Sequence, residues 1–187
     1  MKLSLKETEI FIGYEAVAAV CAVLLFDREG RTVSCLLAAF LHECGHLVTM
    51  RILSYRVREI RLRLFDVRIS SDEPRCVRDD LLITLSGALS NFLFAPVFFF
   101  SDKLFFSNLL IGAFNLLPVE SLDGGRILMI LLSKKLSLFT AEKILKLLSF
   151  VFLAPFLFCG IAVLLNTRYN YSLLAVSMYL LAVLLFR

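Results

Sequence analysis

Six stretches of the chain are apolar over nearly all their length: residues 10–26, 32–53, 80–100, 104–132, 147–165 and 171–186. A helix needs about 20 such residues to cross a bilayer, and backbone in hydrocarbon must satisfy its own hydrogen bonds, so runs like these have few folds open to them. The chain is 59% hydrophobic with a mean hydropathy of +0.84, above the roughly half expected of a soluble domain. These numbers predict an all-α polytopic membrane protein of about six transmembrane helices, the first short and the fourth interrupted. No Gly/Ser- or Pro-rich linker divides the 187 residues, so a single domain spanning 1–187 is expected. No small-residue cleavage site follows residues 10–26, and that run is read as a span rather than a secretion signal.

Charge sets the orientation. If the N-terminus, residues 54–79, residues 133–146 and the C-terminus share one side, the other side keeps only Arg28, Arg31, Lys103 and Arg168. Such an asymmetry places both termini in the cytoplasm. The net charge of +4 is confined to these loops, which suits contact with lipid headgroups and argues against nucleic acid as a partner. After the second span, Ile60, Leu62 and Leu64 alternate with Glu59, Arg61 and Arg63, and the alternation resumes at Val67 and Ile69 after a phase shift at Phe65. Period two predicts a short membrane-associated β-hairpin or bulged strand.

Polar residues inside the apolar spans carry the chemistry. The only two histidines of the chain, His42 and His46, both lie in "FLHECGH". Four positions apart on a helix, they project from one face. This is the H-E-x-x-H arrangement, in which two imidazoles bind zinc and the glutamate between them, Glu43, can act as a base on water at the metal. Catalytic zinc takes three protein ligands, and with no third histidine the last must be a carboxylate or thiolate. Glu15, Glu120, Asp123 and the cysteines are the candidates. Asp123 matches the histidines best in depth: His42 and His46 lie eleven and seven residues before Leu53, and Asp123 ten before Ser133. Glu15 is nearer the interface. The five cysteines, Cys21, Cys35, Cys44, Cys76 and Cys159, form no C-x-x-C pair and read as small buried hydrophobes.

The sequence around Asp123, "FNLLPVESLDGGRIL", breaks the fourth span with Asn115, Pro118, Gly124 and Gly125. Unwound backbone at membrane depth belongs where it lines a cavity or is buried in protein. A transporter would use such a break equally well, and the zinc motif decides against it. In the third span, "SGALSN" puts Gly87 and Asn91 on one face, the first allowing close approach of a helix and the second offering polar groups inside the membrane.

Taken in order, "HECGH", "GALSN" and "NLLPVESLDGG" resemble the site-2 protease family of intramembrane zinc metalloproteases, and most closely its stage-IV sporulation branch. The similarity runs over residues 32–132. It implies that His42, His46 and Asp123 bind Zn2+, that Glu43 is the general base, and that Asn91 and Asn115 hold the substrate or its oxyanion. It implies a metalloendopeptidase, embedded as a multi-pass protein in a bacterial cytoplasmic or forespore membrane, that cleaves membrane-associated regulatory precursors such as a sporulation sigma factor and answers to regulatory membrane partners. The strand near 57–70 would pair with an extended substrate. Glu120 and Ser121 stand where relatives often have further prolines, and neither a PDZ nor a CBS domain is expected. The rival reading is a non-catalytic metal transporter or a pseudoprotease that binds single-span partners.

Overall fold

A computed structural model describes residues 2–5, 8–27, 30–62, 67–72, 76–168 and 172–186. It is mostly helical with one small sheet, and the helices α2, α3 and α6 defined below are long and apolar enough to cross a membrane. The protein is therefore a membrane protein. The chain divides into two compact units, Met1–Ala113 and Phe114–Arg187.

The first unit opens with strands β1 (Lys2–Leu5) and β2 (Thr8–Ile12) and continues with helices α1 (Tyr14–Phe26) and α2 (Arg31–Ile52). Strands β3 (Val57–Leu62) and β4 (Val67–Ser71) and helices α3 (Val77–Val97) and α4 (Asp102–Asn115) follow. The expected hairpin after the second helix is present as β3 and β4, antiparallel, but it belongs to a four-stranded sheet of order β1-β2-β3-β4. β2 pairs parallel to β3, with Ile10 opposite Ile60, and Ile60 stands opposite Ile69. The register thus puts these three aliphatic residues on one face. On the other face the Arg61 guanidinium lies 5.6 Å from the centre of the Phe11 ring. The expected phase shift at Phe65 falls outside the described residues; among those described, the ladder is irregular between Val57 and Glu59.

The N-terminal strands correct the expectation of a span over 10–26. "TEIFI" alternates branched and bulky residues in the manner of a strand, and Thr8 Oγ1 donates to the Val57 carbonyl at 2.9 Å, tying β2 to β3. What remains for α1 is 13 residues, about 20 Å at 1.5 Å per residue.

Asp27 organises the start of α2. Its carboxylate accepts from the backbone N–H groups of Arg31 at 3.2 Å and Thr32 at 2.6 Å, placing an anion at the positive helix end. The buried residues of α2 are Ser34, Ala38, His42, His46 and Met50, one per turn. On α3 the buried set is Ile83, Thr84, Gly87, Ala88, Asn91 and Ala95. These inner stripes are small or polar, while large apolar side chains such as Phe40, Val48, Leu89 and Leu93 point outward, as lipid in place of water requires. A Cβ on Gly45 would sit 2.5 Å from the Ser86 carbonyl oxygen, so glycine permits the close contact of α2 with α3. Ser90 Oγ donates across it to the Leu41 carbonyl at 2.9 Å. Beyond α2, Met50, Tyr55 and Ile83 form a small core, and the Tyr55 hydroxyl donates to Asp79 Oδ2 at 2.7 Å.

The second unit holds the break expected in the fourth span. α4 ends at Asn115 and α5 runs Asp123–Ser133, followed by α6 (Leu138–Thr167) and α7 (Ser172–Phe186). The segment between α4 and α5 is packed and bonded. Val119 is 1% exposed and lies in a core with Leu153, Leu180 and Leu184. The Glu120 N–H donates to Ser149 Oγ at 2.9 Å, and that hydroxyl donates to the Leu145 carbonyl at 2.8 Å. Added Cβ atoms would lie 2.2 Å from the Leu116 carbonyl oxygen at Gly124 and 2.1 Å from that of Val119 at Gly125. Only glycines allow the loop to fold back over its own helix start.

Ser149 is fully buried, so Ser149→Ala leaves the Glu120 N–H without its acceptor at a cost of about 1–3 kcal/mol. The expected outcome is a lower thermal midpoint in detergent and faster proteolysis within 116–122. An unchanged midpoint would show that the loop is held by Val119 packing alone.

Candidate metal centre

The two histidines are held from behind. His46 Nδ1 lies 2.7 Å from the Ile83 carbonyl oxygen, an acceptor only, so Nδ1 donates and the neutral ring leaves Nε2 unprotonated. The carbonyl of Ile83 is open to it because the residue one turn on, Gly87, has no side chain to cover it. The same glycine makes room for both rings: a Cβ there would lie 2.3 Å from His46 Nε2 and 2.7 Å from His42 Nε2.

His42 Nδ1 lies 2.8 Å from Asn91 Oδ1, and here too Nδ1 donates, because the Asn91 amide nitrogen is directed at two other oxygens, those of Ala38 at 2.8 Å and Asn108 at 3.0 Å. Both rings therefore present Nε2 lone pairs, and the two Nε2 atoms are 3.2 Å apart, with the rings edge to face at a centroid separation of 4.9 Å. Two lone pairs so placed repel unless a cation or a shared proton joins them. Two nitrogens each about 2.0–2.1 Å from one tetrahedral zinc would stand roughly 3.3 Å apart, so the pair fits two adjacent positions on such an ion. Both imidazoles are buried, at 4% and 9% exposed. Glu43, one residue along α2 from His42, is half-buried.

Asp123 belongs to the second unit. It is the first residue of α5, half-buried, and carried by the loop that Ser149, Val119, Gly124 and Gly125 hold in place. A carboxylate there sits at the positive end of its helix. Asn115 closes α4 and is half-buried. Glu120 Oε2 is buried with no hydrogen-bond partner among the described residues. The side chain of Glu15 lies outside those described.

Asn91, expected to contact substrate, lies behind His42. It is 0% exposed, and its amide oxygen and nitrogen are engaged by His42, Ala38 and Asn108, all inside the protein. Asn108 escaped the sequence reading altogether, although an asparagine in an apolar span was signal enough to single it out.

Residues 100–158 match the sequence model of Peptidase family M50; the match takes in Asp123 and its loop, and the histidines lie before it. The chain is 28% identical over 139 residues to Stage IV sporulation protein FB of Bacillus subtilis, covering 67% of this chain and 48% of that protein. It is 28% identical over 141 residues to a zinc metalloprotease of Methanocaldococcus jannaschii, covering 67% and 38%. The chain thus spans less than half the length of these curated relatives. Among solved structures, the site-2 protease from Methanocaldococcus jannaschii matches with a TM-score of 0.70 over 96% of this chain and 91% of that one, at 21% identity, a likeness of fold.

Gly87→Ala drives a methyl group into both imidazoles, and zinc affinity of the purified protein, read by chelator competition, should fall by about 10-fold or more, as when the supports of a ligand are removed. Wild-type affinity in this variant would mean that the rings do not lie against α3 as described.

Proposed function

Since the chain is a relative of peptidase family M50, we propose that it is an intramembrane zinc metalloprotease that hydrolyses peptide bonds of membrane-associated regulatory precursors. The observation that carries this reading is the pair of imidazoles on an apolar helix, fixed so that both Nε2 lone pairs meet at 3.2 Å beside Glu43. The printed name of one relative contains zinc metalloprotease, which supports zinc as the ion. His42 and His46 supply two ligands, and we propose Asp123 as the third. Zinc bound there would supply Lewis acidity toward a peptide carbonyl and toward water.

The remaining chemistry belongs to side chains. Glu43 takes the proton of the attacking water and returns it to the leaving amine, a general base turned general acid. Asn115, at the end of α4 and ahead of the broken segment, is retained as a ligand for substrate or oxyanion. Asn91 supports His42 through its amide oxygen. An extended substrate segment can add to the sheet at β4, an edge strand, which supplies backbone partners to a peptide unwound from its helix.

The six-span arrangement with both termini in the cytoplasm goes with this reading. So does a sporulation sigma-factor precursor as substrate, supported by the printed name of the Bacillus relative.

Co-expression with candidate single-span substrates tests the proposal. Glu43→Gln should lose about 10²–10⁴-fold in cleavage, the usual worth of a general acid–base group, while keeping its zinc. Unchanged cleavage would reject Glu43 as the base, and zinc flux into sealed vesicles without cleavage would make the protein a transporter.

A further inference from the structure

We propose that Asn108 is a positioning residue for the metal centre: acting through Asn91, it locks His42 into the tautomer that can bind a metal. The inference rests on the reading of His42 and His46 as metal ligands and adds to it a lock on one of them.

The two histidines are supported differently. His46 leans on a backbone carbonyl, that of Ile83, whose sense cannot change. His42 leans on a side-chain amide, and an amide can turn over. With Asn91 turned, its NH2 group would face His42 Nδ1, that nitrogen would have to accept, and the ring proton would move to Nε2, blocking the ligand atom.

What prevents the turn is a chain of bonds leading away from the centre. Asn108 Nδ2 donates to the Leu104 carbonyl, one turn back along α4, at 2.9 Å. That bond fixes the sense of the Asn108 amide and aims its Oδ1 outward, where it accepts from Asn91 Nδ2 at 3.0 Å. The other hydrogen of Asn91 goes to the Ala38 carbonyl at 2.8 Å. Turned over, Asn91 Oδ1 would face two oxygens at these separations with no hydrogen between them. Both asparagines are 0% exposed, so water cannot stand in for either partner. Gly112 keeps α4 close enough for the bond, since a Cβ there would lie 3.1 Å from that of Asn91.

The test uses the full chain in detergent and zinc itself as the probe, by chelator competition without substrate. Asn108→Leu, similar in size but unable to accept, should weaken zinc binding by about 10–100-fold. Asn108→Asp, whose protonated carboxyl reproduces both bonds, should recover most of that loss. Asn91→Ala combined with Asn108→Leu should bind no more weakly than Asn91→Ala alone, because Asn108 acts only through Asn91. Additive losses, or wild-type affinity in Asn108→Leu, overturn the proposal and leave the metal-ligand reading intact. A wild-type protein that binds no zinc overturns both. Should the variants fail to fold, 15N-histidine spectra of the zinc-loaded wild type decide. With only two histidines in the chain, each must show a protonated Nδ1 and a ligated Nε2, and a proton on His42 Nε2 refutes the lock.

Discussion

Two imidazole nitrogens that face each other across 3.2 Å are an electrostatic liability inside an apolar helix, and much of the first unit can be understood as the means of keeping them there. Left alone, such rings would rotate apart or share a proton. They are held because each Nδ1 has an acceptor behind it, because Gly87 removes the side chain that would push them away, and because Gly45 lets α3 come near enough to provide both. Small residues that elsewhere in a membrane protein serve only packing here set the direction of imidazole lone pairs.

The second unit solves a different problem with the same materials. A carboxylate sits at the start of α5, directly after backbone that is not helical, and the polar groups of that backbone need partners. Ser149 supplies one of them from α6, Val119 anchors the turn in an apolar cluster, and two consecutive glycines let the loop pass within contact of the helix it precedes. Asp123 is thus carried by a packed and hydrogen-bonded segment rather than a free loop.

The helical part of the fold was legible because lipid imposes it: long apolar runs have one way to satisfy their backbone, and α2, α3 and α6 lie where the runs predict. The meeting of the two histidines was legible from spacing, since four residues on a helix bring two rings to one face. The N-terminal strands were not, because Thr8–Ile12 runs without a break into an apolar helix and hydropathy cannot distinguish a strand from the start of a span. Their identity depends on β3, far along the chain. The position of Asn91 was hidden for a related reason. Its neighbour Asn108 comes from another helix, and a single sequence shows which residues are polar but not which of them meet.

The parallel pairing of β2 with β3 also bears on how the protein is made. About 45 residues separate the end of one strand from the start of the other, and ribosomes add residues at roughly 5–20 per second. For several seconds β2 has emerged and its neighbour on that side has not. During that interval α1, α2 and the turn before β3 must all be made, and the ladder cannot close until they are. Completion of the sheet is therefore a late event, joining two stretches of backbone made well apart in time.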